Sequence, residues 1–158
     1  MKAYLSGGME HAVEEGVGWR LEMEQWIRSK LGHDVFNPNA ESDRSLAAHG
    51  VTPKEFRKMK FDDLGRFQKI VTTLVDLDTD EIAYNSDYLV CYWDEAAMKG
   101  AGTKGELTMA KFFGKPVYIV TSMNHSDIPG WVLGCTTRFF STLDEVKEFL
   151  ARAFNTVR

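Results

Sequence analysis

Two acidic groups in this chain have residue types and surroundings suited to chemistry. Glu106 stands in GAGTKGEL (100–107), and a second acidic set, DLDTDE (76–81), lies upstream of it. Two carboxyl groups brought to one site are what glycosidic bond cleavage requires: one attacks or stabilises the anomeric carbon, and the other handles the proton of the leaving group. Each set also has a plainer reading. Thr103 and Glu106 have the spacing of a capping box, in which hydroxyl and carboxylate close the start of a helix. Thr52 with Glu55 and Thr142 with Glu145 repeat that spacing elsewhere. Asp76, Asp78, Asp80 and Glu81 would equally make a solvated helix face. The glycines pull towards chemistry. Gly100, Gly102 and Gly105 give more backbone freedom than a cap needs, and a glycine inside a first helical turn costs up to ~1 kcal/mol relative to alanine. A residue without a side chain next to Glu106 is useful where a ligand lies against the backbone.

Other chemistries find no support. An EF-hand Ca²⁺ loop needs a glycine at its sixth position and a glutamate at its twelfth, whereas DLDTDEIAYNSD lacks that glycine and ends in Asp87. The order of a Ser-His-Asp triad, zinc-ligand spacing, a Walker loop and G-x-G-x-x-G are all missing, and a bound metal is not expected. Tyr4, Met9, Trp19, Trp93 and Trp131 are aromatic or soft residues suited to stacking on a base. Trp19 also fits the buried stripe of a helix.

These residues need a scaffold to bring them together. KAYLS (2–6) reads as a strand running into a glycine turn, and apolar residues at helical spacing predict a helix over 10–31, stopped by Gly32. HDVFNP (33–38) is a second strand, and 39–51 reads as a loop. A helix opens at Thr52-Pro53 and continues, with a break near Gly65, to residue 85. DYLVCYW (87–93) is a buried strand because its apolar run is nearly continuous. A helix over 102–114, strands over 115–121 and 137–140, and a last helix over 142–154 complete the chain. Strands alternating with helices predict an α/β fold with a doubly wound, mostly parallel five-stranded sheet and helices on both faces, formed by the 158 residues as one domain. Ligands in such sheets bind beyond the carboxyl ends of the strands. That rule gathers Tyr4, Gly7, Gly8 and Met9, Asn37 after strand 2, and the Gly100–Glu106 loop on one rim.

A net charge of −4 and a pI of about 5.6 argue against a polyanion-binding surface and favour small-molecule partners. Two cysteines without C-x-x-C spacing, and no apolar run long enough for a secretion signal or a membrane span, fit a cytoplasmic protein with reduced thiols.

Read together, YLSGGM, VFNP, DTDEIAYNSDYLVCYWD and GTKGELTMAKFFGKPVYIV give a chain that resembles the nucleoside 2-deoxyribosyltransferases and the related nucleoside 5′-monophosphate N-glycosidases. The likeness runs over roughly residues 2–121. It implies a compact Rossmann-like, flavodoxin-like subunit working as a homodimer or larger homo-oligomer and cleaving the bond between a (deoxy)ribose and a nucleobase without a cofactor. Neither a nucleic-acid polymer nor a membrane is implied as partner. Glu106 would be the nucleophile that forms a glycosyl-enzyme ester. Asp78 would protonate the departing base, with Asp80 as the competing choice because the spacing from Asp78 to Asp87 is one residue longer than the family's usual one. Tyr4 would tune the nucleophile, and Gly7, Gly8 and Met9 would line the sugar or phosphate side. Trp19, Asn37, Gly100, Gly102, Thr103 and Lys104 complete the expected substrate contacts. Six residues before the nucleophile, transferases of this kind often carry an aspartate and the monophosphate hydrolases a serine; here stands Gly100. The transferase is the leading expectation, the hydrolase its alternative, and a non-catalytic nucleotide sensor a third.

Overall fold

The computed structural model describes residues 1–155. Five strands among them, β1 (Lys2–Gly7), β2 (Asp34–Phe36), β3 (Tyr88–Tyr92), β4 (Val117–Val120) and β5 (Arg138–Phe140), form one sheet in the order β2-β1-β3-β4-β5. Every neighbouring pair is parallel, so the sheet is wholly rather than mostly parallel. Its central strands β1, β3 and β4 are buried on both faces, and successive residues feed alternate layers. Tyr4, Leu89, Cys91, Trp93 and Ile119 enter one layer; Ala3, Leu5, Tyr88, Val90 and Val120 enter the other.

The second layer is closed by α1 (Val17–Trp26) and α8 (Leu143–Asn155), through Met23, Val146 and Leu150. On the first lie α4 (Leu64–Asp80), α6 (Gly102–Phe112) and α7 (Gly130–Cys135), with the short α5 (Glu95–Lys99) at the rim. A small satellite core of Leu46, Val51 and Ile70 joins α2 (Pro38–Ala48) and α3 (Pro53–Asp62) to α4. The Thr52–Glu55 capping box forms in full, and the break in the following helix falls at Asp63, whose side chain caps α4 by accepting from the Arg66 amide at 3.1 Å.

Two segments differ from the sequence reading. Residues 39–48 of the expected 39–51 loop are helical, in a helix that starts at Pro38: Asn37 accepts from the Asn39 amide at 3.2 Å and Pro38 occupies the first turn. Its one buried aliphatic residue, Leu46, leaves too little apolar period to mark a helix. The expected helix over 10–31 is interrupted instead. A tight turn at Val13–Gly16 holds Glu14, Glu15 and Gly16 at φ of 48°, 54° and 68°, left-handed values that cannot continue a right-handed helix. Helix α1 starts after it and ends in one wider turn over Ile27–Leu31, stopped by Gly32 in the left-handed region as expected.

From β1 the chain moves outward to β2 and then returns to the other side of β1 as β3. The strand order therefore reverses between β1 and β3, which is where open sheets of this order leave a crevice for a ligand.

Candidate active site

Glu106 belongs to the second turn of α6, on the same face as buried Thr103, Leu107 and Ala110. That face packs on the carboxyl end of β1, where Tyr4 and Ser6, two residues apart, point to the same side of the sheet. The Tyr4 hydroxyl donates to Glu106 Oε1 at 3.0 Å, and the Ser6 hydroxyl donates to Oε2. Both carboxylate oxygens are thus occupied by β1 and neither by the helix's own start. The first residue of α6 is preceded by Ala101, which makes no side-chain cap, and Thr103 is buried within the helix. The capping reading of Thr103 and Glu106 does not hold. Thr142 and Glu145 do serve the start of α8: Thr142 Oγ1 accepts from the Glu145 amide at 3.2 Å, and Glu145 accepts from the Ser141 amide at 2.7 Å.

The acidic run 76–81 divides by helical phase. Asp78 and Asp80, two residues apart on α4, point about 200° apart around the axis. Asp78 turns inward towards Tyr4 and Glu106, while Asp76 and Asp80 are exposed. Glu81 is buried for a different purpose, pairing with Lys2 Nζ at 2.7 Å and accepting from Ser86 at 3.0 Å.

Burial sets the protonation of this group. Desolvation pushes the Glu106 carboxyl up, against the hydrogen bonds of Ser6 and Tyr4 and the positive charge of Arg20, which hold it down. Desolvation and then the Glu106 charge raise Asp78 to about 7, opposed by Tyr4. A phenol has one proton to give, and Ser6 donates to Glu106 and not to Asp78, so of the two carboxyls Glu106 is the better stabilised as an anion. Tyr4 itself is held well above its usual range by burial and both carboxylates, and remains a donor.

The other expected site residues fall into three groups. Gly7 and Gly8 reach the rim, but a side chain at either would strike protein: at Gly7 the Trp19 ring at 3.0 Å, at Gly8 the Ala97 amide at 2.7 Å. Their smallness serves packing, and half-buried Met9 opens the turn that follows. Trp19 lies on the far face of the sheet, stacked on Tyr92 with ring centroids 5.6 Å apart. Asn37 is buried and engaged in the α2 cap and with Glu24, its Nδ2 donating at 2.9 Å. By contrast, a Cβ at Gly102 or Gly105 would meet nothing within 4 Å, and Gly100 has room for one at ordinary contact distance, so this loop borders open space. Lys104 Nζ donates to the Met98 carbonyl at 2.6 Å, tying α6 to α5.

Sequence reasoning missed Ser6 and Arg20. Ser6 follows from the two-residue period once Tyr4 is placed. Arg20 is a charged residue in phase with Met23 and Ile27 on the buried stripe of α1, and that position was the available signal. Among the described residues no group of three or more His, Cys, Asp or Glu is placed to hold a metal ion, and no helix is long and apolar enough to cross a membrane.

No protein-family model matches the chain, and no curated protein matches it in sequence. Among solved structures, the chain is similar to the CMP N-glycosidase BcmB of Clostridium botulinum, with a TM-score of 0.55 and 15% identity over 97% of this chain and 99% of that one. At that identity the likeness is one of fold. The chain carries, over nearly its whole length, the fold of a nucleotide N-glycosidase, in agreement with the resemblance in its sequence.

Proposed function

We propose that this protein hydrolyses the N-glycosidic bond of a (deoxy)nucleoside 5′-monophosphate. The observation that carries the reading is that the Tyr4 and Ser6 hydroxyls both donate to the Glu106 carboxylate, while Asp78, turned towards the same group, has its carboxyl raised to about 7. In the first step a Glu106 carboxylate oxygen bonds to C1′ as the C1′–N bond breaks; the electron pair stays with the base nitrogen, which takes the Asp78 proton. In the second, water attacks C1′ and returns its proton to Asp78, and the ester oxygen leaves as the Glu106 carboxylate. Asp80, exposed on the opposite side of α4, takes no part.

The fold likeness to a CMP N-glycosidase favours hydrolysis of a monophosphate over transfer to a second base. The phosphate has a place to lie: α6 begins without a side-chain cap, its first amides are free to donate, and Gly100, Gly102 and Gly105 keep the approach open. Exposed Tyr84, Phe112 and Trp131, on the elements that carry or flank the two carboxyls, supply the apolar surface for the homodimer that the resemblance implies.

The test is incubation with deoxynucleosides, deoxynucleoside monophosphates and ribonucleoside monophosphates, with and without a free acceptor base, followed by chromatography. Free base released from a monophosphate without acceptor is the expected result. Base exchange that depends on the acceptor would return the transferase reading. Absence of turnover on every substrate would leave the sensor.

A further inference from the structure

Arg20 is 1% exposed, and all its hydrogen-bond partners are main-chain carbonyls. Its Nε donates to Leu5 at 3.2 Å and Nη2 to Gly7 at 2.8 Å, while Nη1 donates to Glu15 at 3.0 Å and Gly16 at 3.2 Å. The guanidinium lies 4.7 Å from the Trp19 ring centroid. The reason for this bonding lies in the sheet. Strand β1 pairs with β2 only as far as Tyr4↔Phe36, yet continues beside β3 to Gly7↔Tyr92. Beyond Tyr4, β2 offers no further partner, since Asn37 turns into a cap and Pro38 lacks an amide hydrogen. Arg20 takes the place of the missing strand and satisfies the carbonyls on both sides of Ser6.

Ser6 is the residue that donates to Glu106 Oε2. A buried cation whose direct partners are all neutral also needs an anion nearby to offset the loss of water. The acidic and titratable groups that face Glu106 are Tyr4 from β1, Asp78 from α4 and Cys91 from β3; Asp94 acts on Arg20 from the start of α5. The Glu106 carboxylate is the strongest of the charges that offset Arg20.

We infer that Arg20 is a positioning residue for the nucleophile: it spans the Leu5 and Gly7 carbonyls to aim Ser6 at Glu106, and it supplies the buried positive charge opposite that carboxylate. The kinetic part of this inference rests on the reaction proposed above; the electrostatic part does not.

The experiment is an infrared titration of the full chain labelled with [¹³C]glutamate. The Glu106 band is identified by its loss in Glu106→Gln, and the titration is repeated with Asp78→Asn so that the neighbouring carboxyl does not overlap. Arg20→Met is expected to move Glu106 ionisation upward by about one pH unit or more, a roughly tenfold rise in proton affinity. In turnover assays it should lower kcat by on the order of a hundredfold while KM changes by less than roughly threefold, the mark of a group that acts on the reacting centre rather than on binding. Arg20→Lys keeps the charge but cannot span two carbonyls, so it should move the Glu106 titration upward by less than Arg20→Met does and still lower kcat. If Arg20→Met does not fold, Arg20→Lys and Gly16→Ala carry the test; a Cβ at Gly16, where φ is 68°, would stand 2.7 Å from Arg20 Nη1 and 2.9 Å from the Gly8 carbonyl, so it displaces the guanidinium and strains the turn that it holds. An unmoved Glu106 titration in folded Arg20→Met, or unaltered kcat in both Arg20→Lys and Gly16→Ala, overturns the inference. An unaltered chain that releases no base from any substrate, while Glu106 titration still follows Arg20, would sink the proposed reaction and uphold the electrostatic assignment.

Discussion

Tyr4 and Glu106 stand 102 residues apart in the chain and meet at 3.0 Å, the phenol donating to Oε1 where β1 ends against the second turn of α6. Ser6 occupies the other carboxylate oxygen from the same strand face. Removing either donor weakens the anion. A hydrogen bond to a charged group contributes roughly 1.5–3 kcal/mol, so Tyr4→Phe and Ser6→Ala should each lower kcat by about tenfold or more. The acid limb of the pH–rate profile should move upward in both. Rates and limbs unchanged in both variants would mean that these hydroxyls do not support the nucleophile.

Asp78 sets the alkaline limit. Its raised value of about 7, caused first by burial and then by the Glu106 charge, means that the rate should fall as pH rises through about 7 and the proton for the leaving base is lost. Asp78→Asn should be slow at every pH and lack that limb. Asp80→Asn, altered at an exposed position, should stay within roughly twofold of the unaltered rate. Equal losses in the two variants would contradict the division of roles.

The same carboxyl leaves a mark on stability. Its pKa in the folded chain, about 7, lies above the unfolded value, so the folded state binds the proton more tightly. The resulting stabilisation is complete below about pH 4 and is lost as pH rises through about 7. Asp78→Asn does not ionise. Its stability relative to the unaltered chain should therefore improve between about pH 4 and pH 8.5 by on the order of 1–2 kcal/mol, allowing for partial access of solvent to the carboxyl. Denaturant midpoints at the two pH values measure this; a constant difference between the chains would refute it.

Gly105 separates stability from function. It lies inside α6 with open space where a Cβ would go, so Gly105→Ala should stabilise the helix by up to ~1 kcal/mol. A nucleotide lying against that turn would meet the new methyl group, and KM should rise. A variant with both higher melting temperature and unaltered KM would place the substrate elsewhere.

Much of this arrangement is legible in the sequence, for identifiable reasons. The nearly continuous apolar run of β3 marks a strand buried on both faces, and the Thr52-Pro53-Glu55 start carries its own cap chemistry. Glu106 and Asp78 are legible as candidates because two carboxyl groups are what glycosidic chemistry needs, although a helix cap and a solvated helix face explain the same letters. The helix over Pro38–Ala48 is hidden because it buries only Leu46 among its aliphatic residues. The break before α1 depends on Glu14 and Glu15 in left-handed conformations that side chains rarely adopt, so no local letter announces it. Capping at Thr103 fails because a tertiary contact, from Tyr4 and Ser6, outcompetes the local one for the same carboxylate. The resemblance counts Trp19 among the substrate contacts, whereas α1, which carries it, packs on the opposite face of the sheet.

Covalent attachment of Glu106 to the sugar is the step on which the proposed reaction depends. A 2′-fluorinated deoxynucleoside monophosphate, which slows the second step, followed by intact-mass and peptide mass spectrometry, tests it most directly. The expected result is a glycosyl phosphate adduct on the peptide that carries Glu106, absent in Glu106→Gln, together with loss of turnover in a variant that still melts within a few degrees of the unaltered chain. Release of base at an undiminished rate by Glu106→Gln, or an adduct on any other residue, would contradict it.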